Sequence, residues 1–254
     1  MNITKKKIKV VGLIPTRIGS TRLPAKPLLE IKKIPLIIHT YKRALLSKSL
    51  NDLIICCDDK SILACGKKFK ANIKMTSPHH QNGTERIAEV YFKSKLKYDL
   101  IIDIQGDEPL LSPHHIDEVV NFHKKNLQYD IVLPVLKIKQ PDNPNTIKVV
   151  VDKNNNALYF SRSKIPFEHK TRAKFFNKHL SIISFTPNAL KKFAESKKTY
   201  LEKIEDIELL RALELGLKIK IIYLKGDSFS VDVQNDYENA KNYMEKDKFF
   251  KLYS

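Results

Sequence analysis

Apolar and polar positions along the first half of the chain follow two alternating rhythms. Short apolar runs read as buried strands at Ile8–Ile14, Leu53–Cys57, Asn72–Met75 and Leu100–Ile104. Between them lie stretches with helical periodicity: Pro35–Leu46, Lys60–Phe69, and Thr84–Lys95 with its apolar residues at Ile87, Val90 and Tyr91. The helix starts carry their own signals. Pro35 suits a first turn, Asp58 or Asp59 can cap the second helix, and Ser112-Pro113 opens another as cap and first position. Strands separated by helices of this length form βαβ units, so the pattern predicts an α/β fold with a mainly parallel sheet.

The second half changes rhythm. Strands are predicted at Ile131–Ile138, Ile147–Val151, Ala157–Phe160 and Leu180–Phe185, with little helix between them. Asp152–Asn156 (DKNNN) reads as a hairpin-like turn. A mixed-sheet extension is expected there, offering a dimer surface. Helices return at Asn188–Glu195 and at Ile204–Leu215, the latter stopped by Gly216. A strand at Lys218–Leu224 and a helix at Gln234–Glu245 close the chain. No repeat or low-complexity linker interrupts it, so a single domain over 1–254 is expected.

Composition sharpens this picture. The 254 residues are 42% hydrophobic and 29% charged, with a formal net charge of +18. The lysines run from Lys5 to Lys251 with no dense block beyond Lys5–Lys7, and aromatic residues do not alternate with them as in a single-strand stacking platform. A solvated surface therefore accounts for most of the charge, and a basic nucleic-acid-binding protein is the non-enzyme alternative. Cys56, Cys57 and Cys65 form no CxxC pair or zinc pattern, which suits a reducing compartment. Val10–Ile14 is too short for a signal peptide, and no stretch approaches the ~20 apolar residues of a membrane span. A cytoplasmic protein without membrane insertion is expected.

Positive charge is written overwhelmingly as lysine, with only seven arginines. Five of them, Arg17, Arg22, Arg86, Arg162 and Arg211, lie in short glycine- or acid-containing segments. Arginine kept against that bias points to bidentate recognition of an anion, and the five are expected to share one phosphate-handling site.

Four segments carry candidate chemistry. In PTRIGSTRLPAKPL (Pro15–Leu28), Gly19 follows the first strand with Arg17, Arg22 and Lys26 around it, where a parallel sheet binds ligands and a glycine lets backbone N–H groups approach phosphate. The spacing fits neither a Walker A loop nor GxGxxG. In IIDIQGDEPLLSP (Ile101–Pro113), Asp103, Gln105 and Asp107 share one face of an extended backbone. Asp107, just past the strand, either holds Mg²⁺ or bonds its own turn. In SFSVDVQND (Ser228–Asp236), Asp232 offers a second carboxylate to the same metal, unless Asp232 or Asp236 caps the last helix. In SPHHQNGTERIAEV (Ser77–Val90), Gly83 and Thr84 start a helix whose free N–H groups suit an anion or carbonyl, with a plain helix cap as the competing reading. His79–His80 and His114–His115 lack metal-ligand spacing, and His39 reads as a packed core histidine.

Taken in order, these segments resemble the CMP-Kdo synthetases, the 3-deoxy-manno-octulosonate cytidylyltransferases. The likeness runs from LIPTRIGSTRLPAKPL to SVDVQNDYENA, and the combination of TRLPAKPL, QGDEPL and ALYFSRSKIP is specific. The resemblance implies a Rossmann-like nucleotide-diphospho-sugar transferase fold with a mixed central sheet and a smaller sheet extension. It implies a homodimer, with the region around 131–186 serving dimerisation and sugar binding, and dependence on Mg²⁺. By the same resemblance Arg17, Arg22 and Lys26 would bind the triphosphate of CTP. Pro15, Thr16, Gly83, Thr84 and Gln105 would shape the cytidine site, and Asp107 and Asp232 would hold Mg²⁺. Arg162, His179 and Glu208 would face an acidic sugar, and Arg17, Lys26 and Asp107 would carry the catalysis.

The chain departs from the family pattern on the sugar side. Where the family shows HLGIYGY, this sequence reads HLSIISF, with Ser181, Ile183 and Phe185; where the family shows LEQLR it reads IELLR, with Leu209. Cytidylyl transfer is thus expected, with Kdo, 8-amino-Kdo or a neuraminate-like acid as the acceptor.

Overall fold

The protein, a computed structural model, is described over residues 7–20, 22–226 and 230–254, which leaves Thr21, Ser228 and Phe229 of the candidate segments outside. The first half contains β1 (Val10–Thr16), a small hairpin of β2 (Glu30–Ile31) and β3 (Ile34–Pro35), then α1 (Leu36–Ala44), β4 (Asp52–Cys57) and α2 (Lys60–Lys68). It continues through β5 (Ile73–Met75), α3 (Gly83–Lys93), β6 (Leu100–Ile104) and α4 (Pro113–Lys125). The second half contains β7 (Ile131–Ile138), β8 (Lys148–Val151), β9 (Ala157–Ser161), β10 (Phe176–His179) and β11 (Ile182–Phe185). After it come α5 (Pro187–Ala194), α6 (Tyr200–Glu205), α7 (Glu208–Glu214), β12 (Ile219–Tyr223) and α8 (Gln234–Glu245).

Ten strands form one mixed sheet in the order β5-β4-β1-β6-β11-β7-β10-β8-β9, with β12 paired to β7. The β5-β4-β1-β6 portion is parallel, as the alternating first half predicts. Strand β11 then runs antiparallel to β6, and β10, β8 and β9 continue antiparallel as the extension. Both faces of the parallel portion are covered. Val11, Leu13, Ile54 and Ile101 pack with residues of α3, α5 and α7, while Val10, Ile14, Ile55 and Ile102 pack with α1 and α4. Burial on both sides explains why these strands read as continuous apolar runs.

Two expected elements are corrected. The Leu180–Phe185 strand is β11, shortened to Ile182–Phe185, and an unexpected strand, β10, precedes it; the two pair with opposite halves of β7. The polar residues of Phe176–His179 hid β10. The expected helix Ile204–Leu215 is two helices, because Asp206 adopts φ 51 and Ile207 is extended. That break starts α7 at Glu208 and turns this residue towards the sheet's carboxyl edge.

Candidate active site

The parallel strands β1 and β6 end side by side, and their loops open into a cleft of about 780 Å³. Their approach is close: a Cβ on Gly106 would lie 2.8 Å from the Pro15 carbonyl oxygen. Every residue that the family resemblance assigns to the site lines this cleft except Thr84, which is buried, while Gly19 and Arg211 of the candidate segments do not line it.

Within it the two distant acids meet. The Val231 N–H donates to the Asp107 carbonyl at 2.9 Å, which sets Asp232 beside Asp107. Val231 is fixed in turn by an apolar cluster of Leu23, Ile31, Leu36, Ala240 and Met244, so α8 clamps the late acidic segment onto the first basic loop. Lys26 Nζ lies 2.7 Å from Asp107 Oδ2 and 3.1 Å from Asp232 Oδ1. Arg22 reaches Asp232 at 3.2 Å and Asn145 Oδ1 at 3.3 Å. Burial disfavours charge on Lys26 and on Asp232, yet attraction outweighs it: Asp107 and then Asp232 raise the lysine, and Lys26 lowers Asp232 from its ordinary value. The capping role falls to Asp236, which accepts the N–H groups of Asp232 and Val233 at 3.0 and 3.1 Å. Asp232 keeps its carboxylate for cations.

This donor set fits a magnesium ion shared with phosphate. Two carboxylates already converge on one cation, and Mg²⁺ takes one or two protein carboxylates plus substrate phosphate oxygens. Among the described residues no group of three or more His, Cys, Asp or Glu could cage a metal without such help.

The same cleft is lined by Arg162, His179 and Glu208. Arg162 is anchored by backbone carbonyls, with Nε on Glu205 at 2.8 Å, Nη2 on Asp206 at 3.1 Å and Nη1 on Pro144 at 3.3 Å. Of its five N–H groups, two remain for a ligand. Burial lowers the His179 pKa to about 4, so its ring is neutral at neutral pH. Glu208 accepts the Thr84 N–H at a long 3.5 Å, and burial raises its pKa to about 7. The four named departures from the family pattern, among six in these two motifs, separate here: Ser181 and Ile183 face the cleft, whereas Phe185 and Leu209 lie in the apolar core.

Two of the five selected arginines are paired with the protein's own acids. Arg211 is wholly buried, bound to Glu202 by Nε at 2.7 Å and Nη2 at 2.6 Å, and to Glu85 by Nη1 at 3.0 Å. Arg86, 3% exposed, donates to Thr76 Oγ1 at 2.6 Å and pairs with Asp58 at 3.1 Å. Their forks are spent inside the protein, which is the other use of arginine's planar geometry. At the start of α3 the cap reading also holds, since Asn82 Oδ1 accepts the Glu85 N–H at 2.8 Å while Gly83 lines the cleft. Sequence reasoning missed Asn145 and Ser230, which steady Arg22 and Asp232; neither carries a local signal.

A family model described as Cytidylyltransferase matches residues 11–219. The chain belongs to the cytidylyltransferase family. It is a nucleotidyltransferase, and its relatives extend over nearly its whole length. It is 40% identical over 246 residues to a 3-deoxy-manno-octulosonate cytidylyltransferase of Thermodesulfovibrio yellowstonii, covering 91% of this chain and 96% of the relative. It is 38% identical to an 8-amino-3,8-dideoxy-manno-octulosonate cytidylyltransferase of Shewanella baltica, covering 92% and 98%. Among solved structures it is similar to a CMP:2-keto-3-deoxy-manno-octonic acid synthetase complexed with CTP, at TM-score 0.88 and 30% identity, covering 94% and 99%. The Rossmann-like nucleotidyltransferase fold expected from the sequence is thus the fold observed.

Proposed function

We propose that this cytidylyltransferase joins CTP to a 3-deoxy-ulosonic acid of the Kdo type, giving the CMP-sugar and pyrophosphate for a surface glycan. The observation that carries this reading is the cation-and-acid cluster of Lys26, Asp107, Asp232 and Arg22 in one cleft with Arg162, His179 and Glu208. The anomeric hydroxyl of the sugar attacks the α-phosphorus and pyrophosphate leaves. Both reactants are anions, so the site must offset their repulsion before aligning them. Arg17, Arg22 and Lys26 neutralise the triphosphate, and the two free N–H groups of Arg162 hold the sugar carboxylate. Pro15, Thr16 and Gly83 border the nucleoside, with Thr84 buried behind them and Gln105 at the junction of the two substrates. Asp107 and Asp232 would hold Mg²⁺, which when bound supplies charge neutralisation at phosphate and acidifies the attacking hydroxyl.

The extension around 131–186 is proposed as the dimer and sugar-binding region of a single domain. Relatives named for Kdo and for its 8-amino analogue match almost equally well, so the acceptor must be decided by assay. Purified protein with CTP, Mg²⁺ and a panel of sugar acids should release pyrophosphate with Kdo or 8-amino-Kdo and not with neuraminate. Absence of turnover with every ulosonic acid refutes the proposal.

A further inference from the structure

Lys148 opens strand β8 and is wholly buried, a rare place for a lysine. Its Nζ turns to main chain, donating to the Asn143 carbonyl at 3.3 Å and to the Arg162 carbonyl. Burial lowers the pKa of this amine; the charges of Glu205 and Asp142 oppose the shift, and Arg162 adds to it. The two contacts stand in either protonation state, because a neutral amine still has two N–H groups. A valine, as at the three positions that follow, would fill the strand without burying an amine. The lysine therefore calls for a role beyond packing.

That role is visible at Arg162. The β8–β9 ladder ends at the pair Lys148 and Ser161, so the peptide groups of Arg162, one residue on, leave the sheet. Side chains from two other elements take them up. The Arg162 N–H donates to Glu205 Oε2 at 2.9 Å, and its carbonyl accepts from Lys148. Glu205, the last residue of α6, is held in turn by the Ser161 hydroxyl, which donates to its Oε1 at 2.6 Å. Lys148 also fixes the turn at Asn143, and the next carbonyl, that of Pro144, takes Nη1 of Arg162 at 3.3 Å. The arginine is thus gripped at its main chain while its guanidinium rests on fixed carbonyls. A long, flexible side chain is confined at both ends before any ligand arrives.

We infer that Lys148 and Glu205 are positioning residues: they clamp the Arg162 main chain from β8 and α6, and so aim its free N–H groups at the carboxylate of the acid sugar. This rests on the sugar-acid reading given above and adds to it the residues that direct its anion contact. Misplacing one charge-assisted hydrogen bond should weaken sugar binding about tenfold.

Lys148→Met and Glu205→Met remove the donor and the acceptor while keeping unbranched side chains of similar length. With Kdo or 8-amino-Kdo, whichever turns over, each should raise the sugar KM about tenfold and the CTP KM less than about threefold. Glu205→Gln still offers an oxygen to the Arg162 N–H, so both KM values should stay within about threefold of wild type. In an Arg162→Met background, Glu205→Met should add nothing further. Suppose Arg162→Met raises the sugar KM. An unchanged sugar KM in Lys148→Met or Glu205→Met, no recovery in Glu205→Gln, or additive effects in the double variant then overturns the clamp and leaves the carboxylate reading intact. An unchanged sugar KM in Arg162→Met removes the carboxylate reading, and the aim inferred here with it. A second measurement needs no substrate, and it uses Glu205, only half-buried, in case Lys148→Met folds poorly. In the free protein the Arg162 Nε–H resonance, assigned by its loss in Arg162→Met, should exchange with water at least about tenfold faster in Glu205→Met than in wild type. Equal exchange overturns the clamp whatever acceptor the enzyme uses.

Discussion

Lys26 Nζ lies 2.7 Å from Asp107 Oδ2 and, in the same position, 3.1 Å from Asp232. The ammonium thus sits where the two acids converge, the point a divalent cation would share with them. A metal bound by these acids would compete with the lysine for their oxygens until a triphosphate offered the lysine another anion. Lys26→Met should therefore tighten binding of Mn²⁺, used as a spectroscopic probe for Mg²⁺, in the absence of nucleotide. The same variant should lose about 10²–10³-fold in turnover, the usual effect of removing one preorganised electrostatic donor. Electron paramagnetic resonance of free Mn²⁺ reads the first effect. An unchanged or weaker Mn²⁺ affinity refutes the competition.

Asp107→Asn tests the other side of that pair. It removes one of the two acidic oxygen donors and frees Lys26 from its shortest ion pair. Binding of Mn²⁺ in the presence of CTP should fall by at least about tenfold, and turnover should fall by about 10²-fold or more. The far-ultraviolet circular dichroism should be unchanged, because Asp107 is partly exposed at the cleft and the Val231 contact uses its backbone carbonyl. Wild-type turnover in the folded variant removes Asp107 from the mechanism.

Arg211 behaves differently because its partners are buried with it. Arg211→Met leaves Glu202 and Glu85 without their shared counter-charge. Breaking one side of such a buried pair costs about 3–5 kcal/mol. At ~2–4 °C per kcal/mol for a chain of this size, the Tm should fall on the order of 10 °C. The CTP KM of the remaining folded enzyme should stay within about twofold of wild type. A raised CTP KM with an unchanged Tm would restore Arg211 to phosphate handling. Calorimetry and initial rates decide between them.

These contrasts mark what could be read from the sequence. The parallel strands were legible because both faces are buried and their runs are continuous. The convergence of Asp107 and Asp232 was legible only as a proposal, since residues 125 positions apart are joined by the contact of Val231 with Asp107 and by the packing of α8. The arginine bias was a sound signal read too broadly: Arg22 and Arg162 line the cleft, whereas Arg211 serves the interior. Composition cannot separate a bidentate pair with phosphate from one with a buried glutamate. The break at Asp206 was hidden because a left-handed backbone at a non-glycine residue leaves no reliable trace in side-chain periodicity.

Glu208 gives stability a pH signature. Burial raises its pKa from 4.5 to about 7 in the folded protein. Between those values the folded state holds a proton that the unfolded state has released, so stability falls as pH rises through this window. Above about pH 7 the full penalty is present. Glu208→Gln removes it, so the variant's Tm should exceed wild type increasingly from pH 5 to pH 8. The gain should be on the order of 1–3 kcal/mol, towards the lower end because Glu208 keeps contact with the cleft. The variant should also bind the sugar acid more weakly if Glu208 faces it. Thermal melts across pH settle the first point; a difference that shrinks with rising pH contradicts the assigned sign.

Gly106 joins the fold to the proposed nucleotide site through distance alone. A methyl group there would lie 2.8 Å from the Pro15 carbonyl oxygen and 3.0 Å from Ile37 Cδ1. The isoleucine tip can rotate away, but the carbonyl belongs to the end of β1, and moving it displaces Pro15 and Thr16 at the cleft. Gly106→Ala should therefore lower stability by about 1–3 kcal/mol, as overpacking does, and raise the CTP KM more than the sugar KM. Gly19 provides the control, since a Cβ there meets nothing within 4 Å. Gly19→Ala should leave the Tm within about 1 °C of wild type, the ordinary range of a surface substitution. Equal effects of Gly106→Ala on both KM values would mean that the clash spreads through the sheet and does not stop at the nucleotide loop.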